Sequence, residues 1–152
     1  PKALLSFNGQ PMMPHIASLA EEAGFSPHFV MKKKQVFEQE KYPFLTDKNE
    51  QQHPLYGVSR ALDHCSQYSL ILPCDTPYLT PSGLHRFITL AQPTIACCET
   101  RHPLIGWFPK RFAQRAYRFA VQQLSVNQFA KDANCLYFPP KELRNLNHQG
   151  DR

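Results

Sequence analysis

Short apolar runs alternate with longer amphipathic stretches along most of this chain, and that alternation leaves few folds open. Pro11 to Gly24 carries Ile16, Leu19, Ala20 and Ala23 at helical spacing, with Pro in its first turn and a terminal Gly. Leu55 to Cys65 repeats the pattern through Leu55, Val58, Ala61, Leu62 and Cys65. Pro81 to Leu90, Pro109 to Leu124 and the shorter Val126 to Asp132 read as further helices. Between them lie strand-like runs at His28 to Met31, Phe44 to Thr46, Tyr68 to Leu72, Thr94 to Cys98, Pro103 to Phe108 and Cys135 to Phe138. The runs Phe29-Val30-Met31 and Leu70-Ile71-Leu72 are continuously apolar, as strands covered on both faces must be. Strands separated by helices predict an α/β fold: a three-layer, doubly wound, mostly parallel sheet with helices on both faces.

The 152 residues suffice for one domain with a proper core. No apolar run is long enough to span a membrane, and no secretory leader opens the chain. A net charge of +5 points to an anionic partner. The densest basic run, Lys32-Lys33-Lys34, is too short for nucleic-acid recognition, so it reads as a solvated loop or a small-anion contact. The five cysteines at 65, 74, 97, 98 and 135 form no CxxC pair and have no local His partner. They read as buried reduced thiols, which predicts a cytoplasmic location and argues against a catalytic cysteine.

Residues with chemistry fall where strands end. Asp75 sits in Leu72-Pro73-Cys74-Asp75-Thr76-Pro77-Tyr78-Leu79, bracketed by prolines after an apolar run. In open α/β sheets ligands bind beyond the carboxyl ends of the strands, so this acid reads as a metal or phosphate-site residue; a capping or turn aspartate is the alternative. Asp47 ends another run and opens the polar stretch to His53, the best candidate for a mobile loop. Lys2 precedes Ala3-Leu4-Leu5, and Asn145-Leu146-Asn147 lies beyond the last strand. Each alone has an ordinary alternative, Lys2 as a solvated terminal lysine, Asp47 as a turn former and the asparagines as a capped turn, and it is their joint placement at strand ends that points to a site.

Taken in order, Lys-Ala-Leu-Leu-x-Phe-Asn-Gly-x-Pro-Met, Asp47, Pro54-Leu55-x-Gly57, Leu-Pro-Cys-Asp-Thr-Pro-Tyr, Arg101-His102-Pro103-Leu104 and Asn145-Leu146-Asn147 closely resemble the MobA-like nucleotidyltransferases, the molybdenum cofactor guanylyltransferases. The resemblance implies transfer of GMP from GTP to the phosphate of molybdopterin, with Mg²⁺ as cofactor and pyrophosphate as product. It implies that Asp75 binds magnesium, that Lys2 neutralises the triphosphate, and that Asp47 belongs to the nucleotide site. Asn145 and Asn147 match asparagines near the pterin or metal, and the His-Pro-Leu element is similar to a family strand that helps separate this group from enzymes making sugar nucleotides. Arg101 and His102 are candidate contacts to an anionic acceptor, with an exposed turn residue and a hydrogen-bonding histidine as the alternatives. Molybdenum cofactor biosynthesis and acceptor proteins are the implied partners, with neither nucleic acid nor a membrane among them. A related enzyme using CTP or another phosphorylated acceptor, and a catalytically silent binding module, share these motifs.

The sequence departs from the family at three places. The expected first strand and Gly-rich phosphate loop do not precede Pro1, so the single domain over 1–152 is expected to be N-terminally incomplete. His53 stands where the family usually has Gly. His148-Gln149-Gly150-Asp151 replaces Thr-Pro-Glu-Asp after the asparagines.

Overall fold

The structure, a computed structural model, describes residues 6–32 and 41–146. Lys2, Lys33, Lys34, Asn147 and His148 lie outside the described residues. The described chain opens with a two-stranded hairpin, β1 (Ser6–Phe7) and β2 (Gln10–Pro11), turned by Asn8 and Gly9 at φ 52° and 78°. Positive φ at both central residues is what a tight hairpin turn requires, and Asn-Gly supplies it cheaply. Helix α1 (Met12–Glu22) follows, then the parallel pair β3 (Phe29–Met31) and β4 (Phe44–Thr46).

Helix α2 (Pro54–His64) leads to β5 (Tyr68–Ile71), α3 (Pro81–His85), β6 (Thr94–Cys97), β7 (Arg101–Pro109), α4 (Ala113–Val121), α5 (Val126–Phe129) and β8 (Asn134–Tyr137). Expected and observed elements agree in order and type. The helix expected over Pro81 to Leu90 stops at His85 and continues as tight turns, with Phe87, Ile88 and Leu90 each bonding the carbonyl three residues back. The helix expected from Pro109 starts as a 3-10 turn over Lys110–Phe112. It ends at Val121, and beyond it Gln123, with a φ of 56°, lets Leu124 N–H reach back to the Phe119 carbonyl. The β1–β2 hairpin was not among the expected elements.

The main sheet has the order β5-β7-β6-β8 and is mixed rather than purely parallel, with one strand, β7, reversed. Strands β6 and β8 are parallel, and β7 runs antiparallel to both β5 and β6. The cause is connection length. Only residues 98–100 separate β6 from β7, and a link that short joins antiparallel neighbours. Because β7 opposes both its neighbours, β5, β6 and β8 point one way, and their carboxyl ends share one edge.

Alternate residues of this sheet enter two cores, giving the three expected layers. Ile71, Ile95 and Phe108 pack with α2, α4 and α5 on one face. Leu70, Ala96, Ile105 and Trp107 pack with Leu84 and Phe87 on the other. Beside the sheet, β3 and β5 are not paired. Between them lies an open groove of about 1510 Å³, walled by Ile16 and Ala20 of α1 and by Val58 and Ala61 of α2. All four residues of β5 are consequently half-buried, whereas β6 is buried throughout.

The cysteine expectation needs correction. Cys97 and Cys135 form a disulfide between β6 and β8, with Cα atoms 5.7 Å apart; Cys65, Cys74 and Cys98 are free thiols. Parallel pairing of Ile95 with Cys135 and of Cys97 with Tyr137 brings the two side chains to the same face. Among the described residues no helix is long and apolar enough to cross a membrane.

Strand β7 carries an irregularity where Ile95 pairs with Gly106 and Ala96 with His102. Gly106 is buried there, and a Cβ would press on the Phe108 ring and stand 3.1 Å from the Pro103 carbonyl oxygen. Phe108 is itself buried and has no room to retreat. Gly106→Ala is therefore expected to destabilise the protein by about 2 kcal/mol through overpacking. Chemical denaturation measures this, and an unchanged midpoint would show that the strand relaxes freely.

Candidate active site

Two long-range hydrogen bonds fix the loop that carries Asp75. Leu146 N–H donates to the Asp75 carbonyl at 2.6 Å, tying in the segment after β8. His15 Nε2, on α1, lies 3.0 Å from the Pro77 carbonyl. The His15 ring meets Phe7 at 5.1 Å, Phe7 packs edge-on to Tyr78 at 5.3 Å, and the Arg144 guanidinium covers Tyr78. Asp75, Thr76 and Pro77 are buried as a result. The structure thus brings Asp75 beside Asn145, which is exposed next to Leu146. Nothing periodic in the sequence singles out His15, Phe7 or Leu146, because their roles come from pairings across most of the chain.

Asp47 ends β4 and is 5% exposed. Its Oδ1 accepts the Asn49 backbone N–H at 3.0 Å and the Asn49 side-chain amide at 2.9 Å, and its Oδ2 accepts Lys32 Nζ at 3.0 Å. Burial by itself raises the pKa, but the two Asn49 bonds and the Lys32 charge outweigh it and hold the carboxyl below its ordinary value of 3.8. Lys32 Nζ also donates to the Asn49 and Gln51 carbonyls, at 2.6 and 2.9 Å. This lysine is therefore a clamp on residues 47–51, and not the small-anion contact its neighbours suggested. The stretch from Asp47 to His53, expected as a mobile loop, is tied at Asp47, Asn49 and Gln51. His53 caps α2 by accepting Leu55 N–H on Nδ1, which leaves Nε2–H to donate to the Leu124 carbonyl at 2.7 Å.

Asp47, Lys32 and Cys74, the neighbour of Asp75, line the same groove between β3 and β5. Among the described residues no three His, Cys, Asp or Glu side chains cluster as a metal cage. Mg²⁺ needs none, because one or two carboxylates with phosphate oxygens and water suffice. Asp75 fits that demand: it is a buried carboxylate on a braced loop, and the neighbouring Thr76 hydroxyl is buried with no hydrogen-bond partner among the described residues. Asp47 fits it poorly, since both its oxygens are already engaged.

Arg101 and His102 open β7 at the edge shared with the Asp75 loop. The Arg101 guanidinium donates to the Ala130 and Ala133 carbonyls at 2.7 and 3.3 Å, bracing the hairpin. His102 Nε2 lies 3.2 Å from Thr100 Oγ1 and 3.7 Å from Cys98 Sγ. The expectation that no thiol has a His partner fails here, because the tight β6–β7 link folds position 102 back over position 98. Burial lowers the His102 pKa from its ordinary 6.5.

Over residues 1–133 the sequence matches the model of the MobA-like NTP transferase domain. The chain belongs to that family. Among solved structures it is similar to a protein of Aquifex aeolicus at 18% identity and a TM-score of 0.79, covering 90% of this chain and 78% of that one. It is also similar to the molybdopterin-guanine dinucleotide biosynthesis protein A of Archaeoglobus fulgidus, at 17% identity and TM-score 0.77, over 99% of this chain and 86% of that one. A hypothetical transferase of Thermus thermophilus matches at 17% identity and TM-score 0.71, over 99% and 89% of the two chains. No curated protein matches the sequence. At such identities the structural likenesses establish the fold, and the family assigns a nucleotidyltransferase role.

Lys32→Met should cost about 2 kcal/mol, because it leaves the buried Asp47 carboxylate without its cation. Urea denaturation measures the loss, and a variant as stable as the parent would show that Asn49 alone satisfies Asp47. A second expectation concerns pH. With the His102 pKa depressed in the fold, its contribution to stability is present above 6.5, where the imidazole is neutral in both states, and is lost as pH falls below that value. On acidification from about pH 7 to about pH 5, wild-type Tm should drop more than that of His102→Asn. Parallel curves would remove His102 from the titration.

Proposed function

We propose that this protein transfers GMP from GTP to the terminal phosphate of molybdopterin, releasing pyrophosphate and forming molybdopterin guanine dinucleotide. The observation that carries this reading is the braced Asp75 loop at the carboxyl edge of the main sheet, in a chain of the MobA-like NTP transferase family. The likeness to the Archaeoglobus protein supports molybdopterin as acceptor and a role in molybdenum cofactor biosynthesis.

Asp75 holds Mg²⁺ in this reading, and the bound ion supplies charge neutralisation at the phosphates. Lys2 neutralises the triphosphate in this reading, a role that rests on the sequence motif alone. Asp47 shapes the nucleotide side of the groove through the loop it anchors with Lys32, which is an indirect part. Asn145, Asn147 and His102 are assigned to the acceptor in this reading, Asn147 from the sequence motif alone; Arg101 supports the hairpin that presents His102. The acceptor phosphate is largely dianionic near neutral pH and attacks the α-phosphorus of GTP without a strong protein base. Lack of a dedicated base is thus no obstacle, and the chain's own task is to hold two anions in line.

The reaction also needs a phosphate cradle, and the groove between β3 and β5 is its natural seat. A strand laid there would pair with two open edges and deliver a loop close to Cys74 and Asp75. This domain is therefore read as one that such a strand completes. Use of GTP argues for the cytoplasm, where Cys97 and Cys135 would meet a reducing thiol pool.

The test is pyrophosphate release by the full-length natural protein with molybdopterin and each nucleotide in turn. Turnover is expected with GTP, and Asp75→Asn should lower it by at least about a hundredfold while the Tm stays near that of wild type. Turnover with CTP in place of GTP would reassign the nucleotide. Failure to bind or turn over any nucleotide would overturn the enzyme reading.

A further inference from the structure

Residues 109–131 carry Lys110, Arg111, Arg115, Arg118 and Lys131 and no Asp or Glu. That equals the +5 of the whole chain, so the remainder is electrically balanced and the excess charge belongs to one helical segment. Helix α4 buries Ala113, Ala116 and Ala120 and turns Gln114, Tyr117, Arg118 and Val121 outward. An outward stripe on a solvated helix is normally charged. Here Tyr117 is 47% exposed and Val121 53%, two of the three exposed large hydrophobic residues among those described.

The basic side chains divide by what they touch. Lys110 Nζ donates to the Asp63 and Cys65 carbonyls, and Arg115 lies over the rings of Phe112, Phe119 and Phe129. Arg111, whose guanidinium also lies 5.4 Å from the centre of the Phe112 ring, and Arg118 are exposed, and neither forms an ion pair with a carboxylate among the described residues. Two available guanidinium groups are too few to track a phosphate backbone, which takes several neutralised phosphates. They do match the composition of a protein hot spot, where Arg and Tyr are enriched and Lys, Glu and Asp are depleted. Beside the stripe a depression of about 900 Å³, bordered by Phe44, Tyr56, Arg60, Tyr117 and Arg118 and by the carboxylates Asp47 and Asp63, offers room for an apolar anchor.

We propose that the outward face of α4, centred on Tyr117, Arg118 and Val121 and flanked by Arg111, docks an acidic surface of a partner protein. Carboxylates on the partner pair with Arg111 and Arg118, and an apolar side chain seats against Tyr117 and Val121. The inference rests on charge and exposure, independently of the reaction proposed above.

The probe is a fluorescein-labelled helical peptide with glutamates flanking a leucine–tryptophan stripe, titrated with the full-length protein and followed by anisotropy. Saturable, salt-sensitive binding is expected. It should weaken about tenfold in Tyr117→Ala, vanish in the double variant Arg111→Glu/Arg118→Glu, and persist in Tyr137→Ala, where the exposed aromatic lies on β8. Equal binding by wild type, Tyr117→Ala and the charge-reversed variant would overturn the proposal. So would tighter binding to duplex DNA or to phosphatidylglycerol vesicles than to the peptide. A dimer abolished by Tyr117→Ala would reassign the face to a second copy, and a large fall in Tm for that variant would show it is covered by the protein's own chain; either result overturns the proposal.

Discussion

Burial of both faces of the four-stranded sheet is the constraint from which the rest of this structure follows. A strand covered on two sides is shielded from water at every position, as in β6, where all four residues, the polar Thr94 included, are buried. Such a sheet needs helices above and below, so α2, α4 and α5 cover one face while Leu84 and Phe87 close the other. It tolerates no added volume, which is why Gly106 sits against Phe108. With both faces closed, polar chemistry is left to the edge. The Asp75 loop, His102 and Asn145 all fall there.

Much of this was legible in the sequence. Periodicity places the helices and strands in order because amphipathic stripes and continuous apolar runs are local properties. Strand direction was not legible, since the antiparallel course of β7 depends on a three-residue link between two runs that each look ordinary. Helix α3 ends early because its last turn tightens, a choice set by packing. The Cys97–Cys135 pair and the approach of Cys98 to His102 escaped for one reason. Both follow from register, which brings together positions whose sequence spacing carries no motif.

The site was legible in part and for unequal reasons. Asp75 stands out because prolines bracket it after an apolar run, and its buried, doubly tied loop accords with a fixed functional group. Asp47 was equally visible, yet its oxygens are taken by Asn49 and Lys32, so its effect on any ligand is exerted through the loop it fixes. Arg101 looked like an anion contact, and its guanidinium instead braces two carbonyls near β8. Side-chain type suggests what a residue is able to do; only its partners show what remains available.

The separation of β3–β4 from the main sheet has a kinetic consequence. Each sheet is assembled from a contiguous stretch of sequence, residues 29–46 for one and 68–137 for the other, with α2 packing on both. Among the described residues no strand of either sheet pairs with one from the other segment, and the strand proposed for the groove would bridge the two. Loop-closure costs are thus met within each segment, and the two sheets can form as separate cooperative units before α2 brings them into register. The order in which the molecule is built is written in its chain connectivity, with the β4–α2–β5 crossover as the joint between two folding units.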